Sequence, residues 1–245
     1  AILSDRAGFF EGIPSEIQWK FIEDRPGNFE EPREVFSEVA YLQYTSGSTA
    51  APKATCIRHE NLWEMCRILQ TAKRYDKTSK SVCWVPHWHD DGLIHGLLQP
   101  LYTGFPCVFF PPAAFVSRPF QWLKAISRFQ ATHAGGPNSS YELCIRKVTE
   151  EEVRELDLSN WKFAYNAAEP VRMETLRAFH KRFSVAGFCW ESFAPCYGLA
   201  EATLSVTVTP EGGPVFCSVD GKVLEQEQRR VEGKRELVSS GRVVP

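Results

Sequence analysis

The chain has 245 residues, 43% of them hydrophobic and 13% aromatic, enough to bury a sizeable core as one large domain or two small ones. Its net charge of -2, with 28 Lys and Arg scattered along it, provides no electrostatic footing for nucleic acid or an anionic membrane surface. No apolar run approaches the ~20 residues of an integral membrane segment, and the eight cysteines form no CxxC pair and lie mostly in apolar segments, which fits reduced thiols in a cytoplasmic protein better than disulfides or a zinc site.

In chain order, Tyr41, Leu42, Gln43 and Tyr44 read as a short strand. Residues 44–54 follow as YTSGSTAAPKA, small and hydroxylated residues closed by Pro-Lys. Such a run lets backbone N–H groups around Gly47 and the Thr45, Ser46, Ser48 and Thr49 hydroxyls converge on a polyanion, with Lys53 adding a point charge. It is not the P-loop of kinases, because GxxxxGK(S/T) is absent and Lys53 follows a proline. A Ser/Thr-rich surface turn is the alternative reading of the same residues. Beyond it, Leu62, Met65, Cys66 and Leu69 are spaced as one apolar helical face. Strand, loop and helix are thus expected in succession, where parallel α/β sheets hold nucleotides.

The rest of the chain alternates short apolar runs with amphipathic ones. Residues 82–85, 107–110, 132–134 and 163–165 read as buried strands, and residues 121–129 and 171–183 as helices between them. This alternation predicts an α/β fold with a mainly parallel sheet flanked by helices. After Val208, the turn residues Pro210, Gly212, Gly213 and Pro214 and the charged run 222–236 mark a subdomain boundary or an inserted hairpin.

Four further segments carry polar residues that a sheet alone does not need. Residues 84–96, WVPHWHDDGLIHG, place His87, His89, Asp90 and Asp91 just after a strand; a metal site is conceivable there, although adjacent Asp residues point in different directions on most backbones. Residues 135–141, GGPNSSY, follow a strand with glycines that permit close backbone approach to a ligand, or simply turn the strand into a helix. Residues 166–170, NAAEP, end another strand, with Pro170 expected near the first turn of a helix. Residues 196–203, CYGLAEAT, offer Tyr197 to stack on a purine and Glu201 to hold Mg²⁺ on phosphates.

In this order, the five motifs resemble the core motifs of the adenylate-forming superfamily, which includes acyl-CoA synthetases, luciferases and nonribosomal peptide adenylation domains. The chain looks most like the fatty acyl-AMP ligases, through LQPLYTGFPCVFF, through RPFQWLKAISRFQAT before GGPN, and through YGLAEAT. The resemblance runs from about Ala1 to Arg242 and implies the central part of the large N-terminal domain. It implies that Thr45, Ser46, Gly47, Ser48, Thr49 and Lys53 hold phosphates of ATP, that Ala168, Glu169 and Pro170 pack on the adenine, and that Tyr197, followed by Gly198, stacks on its other face. Glu201 would be the Mg²⁺ ligand, and His89 the aromatic gate between nucleotide and acyl sites. Gly136, Asn138 and Tyr141 would form the wall near the acyl group. A fatty acid would be activated as acyl-AMP and passed to an acyl carrier protein or a polyketide synthase module.

The sequence departs from the family pattern in three places. Ala50 and Ala54 stand where the family usually has Gly, and a non-Gly residue forced to φ > 0 costs on the order of 1 kcal/mol. The chain also stops before the family's ribose-binding Asp motif, hinge and small C-terminal domain with its catalytic Lys, and Ala1 to Ser4 resemble a mid-domain strand. It therefore reads as a piece of a longer protein, inactive alone. We expect residues 1–208 to form the adenylation core and 209–245 the insertion typical of acyl-AMP ligases and the start of the next subdomain: about thirty residues separate Val208 from the SSGR landmark, room for a charged hairpin. The alternatives are a long-chain acyl-CoA synthetase and a noncatalytic lipid- or nucleotide-binding module.

Overall fold

Short apolar runs bounded by turns become the strands of a seven-stranded sheet in the computed structural model, which describes residues 2–3, 19–20, 38–45, 53–210 and 212–244. Two compact units divide the chain, 1–38 and 39–245. In the first, β1 (Ile2–Leu3) pairs in parallel with β2 (Trp19–Lys20).

The second unit opens with a hairpin. β3 (Val39–Thr45) runs antiparallel to β4 (Lys53–Arg58), with Thr45 opposite Lys53, and α1 (His59–Ala72) follows directly. This corrects the expected succession of strand, loop and helix: KATCIR is a strand, and β3 pairs with it in a sheet of two rather than joining the large one. Ala54, paired with Tyr44, has ordinary strand backbone, so the strain expected there does not arise. Helix α1 buries Met65, Cys66 and Leu69 of the face that the spacing predicted, with Ile68 beside them, while Leu62 of that face is only partly buried.

The large sheet is built from β5 (Ser81–Cys83), β6 (Cys107–Phe109), β7 (His133–Gly136), β8 (Phe163–Asn166), β9 (Phe193–Gly198), β10 (Ser205–Val208) and β13 (Arg242–Val243), in the order β13-β10-β9-β8-β7-β5-β6. From β6 to β9 all neighbours are parallel, whereas β10 and β13 are antiparallel additions at one side. The chain passes from β5 outward to β6 and returns to lay β7 on the other flank of β5. That reversal leaves a crevice at the carboxyl ends of β5 and β7, the usual ligand position in open α/β sheets.

Helices supply the crossovers: α2 (Asp90–Leu93), a π-helical turn Ile94–Leu98 and α3 (Gln99–Thr103) link β5 to β6, and α4 (Pro112–Ser117) and α5 (Phe120–Phe129) link β6 to β7. Then α6 (Asn138–Lys147) and α7 (Glu150–Arg154) lead to β8, and α8 (Met173–Phe183) to β9. Pro170 lies three residues before α8, so it precedes the first turn instead of occupying it.

The core between these helices and the sheet is aromatic. Trp122 of α5, Tyr141 of α6, Trp161, Phe179 of α8, Phe188 and Phe193 of β9 are all at most 1% exposed and meet mostly edge to face, Trp122 and Trp161 with centroids 5.3 Å apart, while Tyr141 and Trp161 are stacked. Each such side chain contributes about 1.5–3 kcal/mol through burial. Two of the three polar atoms find backbone partners, Trp161 Nε1 donating to Ala134 O at 3.2 Å and the Tyr141 hydroxyl to Tyr165 O at 2.8 Å, whereas Trp122 Nε1 is buried without one.

The charged run near the end forms a hairpin carrying a helix: β11 (Phe216–Val219) pairs antiparallel with β12 (Arg235–Val238), and α9 (Gly221–Glu227) rises between them. Asp220 starts α9 by accepting from the Lys222 and Val223 N–H groups at 2.9 and 3.1 Å. All eight cysteines, each among the described residues, are free thiols. No helix among the described residues is long and apolar enough to cross a membrane.

Candidate active site

Loops leaving the carboxyl ends of β5, β7, β8 and β9 enclose a cleft of about 570 Å³. Trp84, Val85 and His89 come from the first loop, Gly136 and Pro137 from the second, Ala167 and Ala168 from the third, and Tyr197, Gly198 and Leu199 from the end of β9. Gln43 and Tyr44 of the β3–β4 hairpin close one side, and Gln43 Nε2 donates to Trp88 O at 3.4 Å. The hairpin thus carries the Thr45–Lys53 base of the candidate phosphate loop to the rim of the cleft. Residues 46–52, including Ser46, Gly47, Ser48, Thr49 and Ala50, lie outside the described residues.

The predicted nucleotide residues divide between lining and support. Tyr197 lines the cleft with 52% of its surface exposed, an aromatic face open to a planar ligand. Any side chain at Gly198 would strike the Leu204 carbonyl, so the strand end needs glycine to fold back on itself. Ala168 lines the cleft with φ of 69°, a left-handed conformation costly for a residue with Cβ and common at ligand sites. Glu169 is turned to α6, where its carboxylate accepts from the Ser139 N–H; it and Pro170 are exposed outside the cleft lining.

Glu201 is exposed beside Ala200, which lines the cleft. Its turn is strained: Leu204 N–H donates to Ala202 O at 2.8 Å across Thr203, whose φ of 70° and ψ of -47° describe a rare γ-turn. His89 caps the N-terminus of α2, half exposed at the cleft, with Nδ1 2.6 Å from Asp90 Oδ1. Its hydrogen bond to Asp90 raises the imidazole above its ordinary pKa.

Of the three residues expected to wall the acyl group, only Gly136 lines the cleft, packed against the Trp84 ring, which a Cβ would meet at 2.8 Å. Asn138 is buried away from it, donating to Glu142 and Thr175 at 2.9 and 3.1 Å and accepting from the Arg172 N–H at 3.1 Å. Tyr141 is fully buried in the aromatic core. These two knit α6 to β8 and α8, a structural duty that the motif alone did not reveal. Gly135 likewise serves packing, since a Cβ there would collide with Tyr165.

At the cleft lies a cluster in which Asp91 meets two residues that the motifs did not single out, His95 and Lys73. Lys73, 1% exposed at the end of α1, donates from Nζ to His95 Nε2 at 2.7 Å, and His95 Nδ1 bonds to Asp91 Oδ1. Asp91 and His95 both line the cleft. Burial and the Lys73 charge hold His95 below its ordinary pKa, so it is neutral, accepting from Lys73 and donating to Asp91. Burial works to raise the Asp91 pKa, but His95 and Lys73 more than offset it and keep the carboxylate ionised. The i,i+4 spacing of Asp91 and His95 was the available signal; nothing in the sequence showed that Lys73 would be buried opposite them. Since Asp91 turns to His95 and His89 to Asp90, these residues do not converge on one point, and among the described residues no group of three or more His, Cys, Asp or Glu is placed to hold a metal.

The sequence pattern of the family described as AMP-binding enzyme matches residues 2–244. The chain belongs to the AMP-binding enzymes. Among characterised members it is 49% identical over 174 residues to the medium-chain-fatty-acid–acyl-carrier-protein ligase JamA of Moorena producens, covering 71% of this chain and 29% of that protein. It is 40% identical over 205 residues to the corresponding ligase TtuA of Teredinibacter turnerae, covering 84% of this chain and 31% of that protein. The crystal structure of a fatty acyl-adenylate ligase from L. pneumophila in complex with acyl adenylate and pyrophosphate matches with a TM-score of 0.80 and 38% identity, over 87% of this chain and 39% of that one. The chain thus spans about a third of the length of the AMP-binding enzymes it matches.

Proposed function

We propose that the full-length protein is a fatty acyl-AMP ligase of the cytoplasm that activates a fatty acid with ATP and passes the acyl group to a carrier-protein thiol. The observation that carries this reading is the cleft itself: one side presents the open ring of Tyr197 with Ala168 and Gly198, and the other His89 and Gly136, at the sheet's switch point. The Moorena and Teredinibacter relatives, both medium-chain-fatty-acid–acyl-carrier-protein ligases, support the choice of acid and acceptor.

In this reading a fatty carboxylate oxygen attacks the α-phosphorus of ATP, the new P–O bond forms as the bond to pyrophosphate breaks, and acyl-AMP remains. Two anions must meet, so the chain's task is to position them and neutralise their repulsion. The loop from Thr45 to Lys53 holds phosphates, Tyr197 and Ala168 flank the adenine, and His89 separates the nucleotide from the acyl group. The donor chemistry fits Mg²⁺ brought in on phosphates: exposed Glu201, beside the cleft lining, supplies one carboxylate, and the ion would neutralise phosphate charge.

We assign residues 209–245 to the insertion typical of acyl-AMP ligases and the start of the next subdomain, with the β11–β12 hairpin as its body. The test is product identification with the full-length protein, Mg·ATP and labelled fatty acid, offered free CoA or a phosphopantetheinylated carrier protein. Acyl-AMP and acyl-carrier protein are expected; robust acyl-CoA synthesis would move the protein to the CoA synthetases, and no adenylate at all would leave a binding module.

A further inference from the structure

A cleft for an alkyl chain is best lined with apolar side chains, yet Asp91 and His95 line this one, with Lys73 buried behind His95. As mere structure such a group is a poor choice, because replacing a buried ionic cluster by well-packed apolar residues is commonly neutral or stabilising. The cluster has a direction. Lys73 is sealed beneath Tyr165, its Nζ 4.8 Å from the ring centroid, and both ring nitrogens of His95 are engaged. Asp91 and His95 both line the cleft, and Asp91 is the more open of the two, its side chain 18% exposed against 5% for His95. His95 stands in the π-helical turn Ile94–Leu98, a widened form of helix frequent at functional sites. An ionised carboxylate only accepts hydrogen bonds. Whatever it reads must therefore donate one.

We propose that Asp91, positioned by His95 and Lys73, is a specificity determinant by which the cleft selects carboxylic acids bearing a hydrogen-bond donor on the chain, a hydroxyl or amino group, over the unsubstituted chain of the same length. This rests on the acyl-activating reading of the cleft and names its substrate class. A site built to bond a polar group rejects the analogue lacking it far more strongly than an apolar pocket rejects an added hydroxyl, so a preference of at least ~10-fold is expected.

The experiment measures acid-dependent pyrophosphate release by the full-length protein at saturating ATP, for straight-chain fatty acids and their positional hydroxy and amino derivatives. The quantity read is the ratio of kcat/KM for derivative and parent acid within each enzyme. At least one derivative is expected to exceed its parent by ~10-fold or more, with the hydroxy and amino arms showing which donor is taken. Asp91→Leu, or Asp91→Ala where leucine does not fold, should bring that ratio to one or below. His95→Leu should lower it and His95→Gln, which retains a donor for Asp91, should restore it. Parent acids used as well as every derivative would overturn the inference and leave the ligase reading standing, as would a preference that survives in both Asp91 variants. Absence of pyrophosphate release with every acid would overturn the ligase reading itself.

Discussion

Arg177 of α8 and Glu236 of β12 form a two-pronged ion pair, Nη1 to Oε2 at 2.5 Å and Nη2 to Oε1 at 2.7 Å, across 59 residues of chain. The same guanidinium lies 5.6 Å from the ring centroid of Phe216 on β11. The charged hairpin is therefore fastened by both of its strands to the helix that follows β8.

If the hairpin is the insertion proposed above, this anchor should bear on acceptor choice: it would oppose the rotation that admits a free thiol, and ~3 kcal/mol of bias lowers an open population more than a hundredfold. Replacing residues 216–238 by a short Gly-Ser linker should allow acyl-CoA to form where the intact protein forms none. Arg177→Ala should act in the same direction and speed hydrogen exchange in Phe216–Val219 and Arg235–Val238. Unchanged exchange and unchanged acceptor choice would separate the hairpin from acceptor control.

Glu201 is expected to matter for chemistry more than for fatty acid binding. Removing a metal's carboxylate forfeits several kcal/mol of charge stabilisation, so Glu201→Ala should slow adenylation by ~100-fold or more. Fatty acid affinity, read by calorimetry without nucleotide, should change little. Wild-type pyrophosphate exchange by the variant would remove Glu201 from the site.

Tyr141 separates structural from substrate roles. Tyr141→Phe leaves the Tyr165 carbonyl without its 2.8 Å hydroxyl partner and should cost about 1–2 kcal/mol of stability. Acyl chain preference should not move. A changed preference at unchanged stability would return Tyr141 to the acyl wall.

His133 makes stability depend on pH. Burial, chiefly, depresses its pKa to about 4, while Nε2 donates to Lys73 O at 2.8 Å. The unfolded chain takes up a proton near the ordinary value of about 6.5, but the folded chain refuses it until about 4, so His133 contributes full stability above the unfolded value and loses it as pH falls between the two. The whole swing is about 3 kcal/mol. Denaturant midpoints measured across this range should fall with acid, and His133→Phe should flatten the slope; a parallel slope in the variant would assign the proton elsewhere.

Much of the sheet was legible because short apolar runs between turn residues leave few alternatives: residues 82–85, 107–110 and 163–165 became β5, β6 and β8 with shifts of a residue or two. β4 was missed because Lys53 and its neighbours were read as the close of a loop, although KATCIR continues into Ile57, its one buried residue. Position in the site was harder to read than element type. Tyr141 and Cys144 are spaced as a buried helical face, yet the motif drew Tyr141 toward the ligand. Lys73 and His95 are 22 residues apart, and only the folded return of the chain past α1 brings a buried amine onto an imidazole. Local pattern reports period and polarity; it does not report burial depth.

In the proposed reading, the cleft bounded by Tyr197, Ala168, His89 and Gly136 makes an acyl adenylate. ATP–pyrophosphate exchange by the full-length protein tests it most directly, because label returns to ATP only if the adenylate forms reversibly in the site. Exchange should require both Mg²⁺ and an added carboxylic acid of the acyl panel, and should collapse in Glu201→Ala. Exchange that never depends on any acid, or none under any condition, would show that the cleft forms no acyl adenylate.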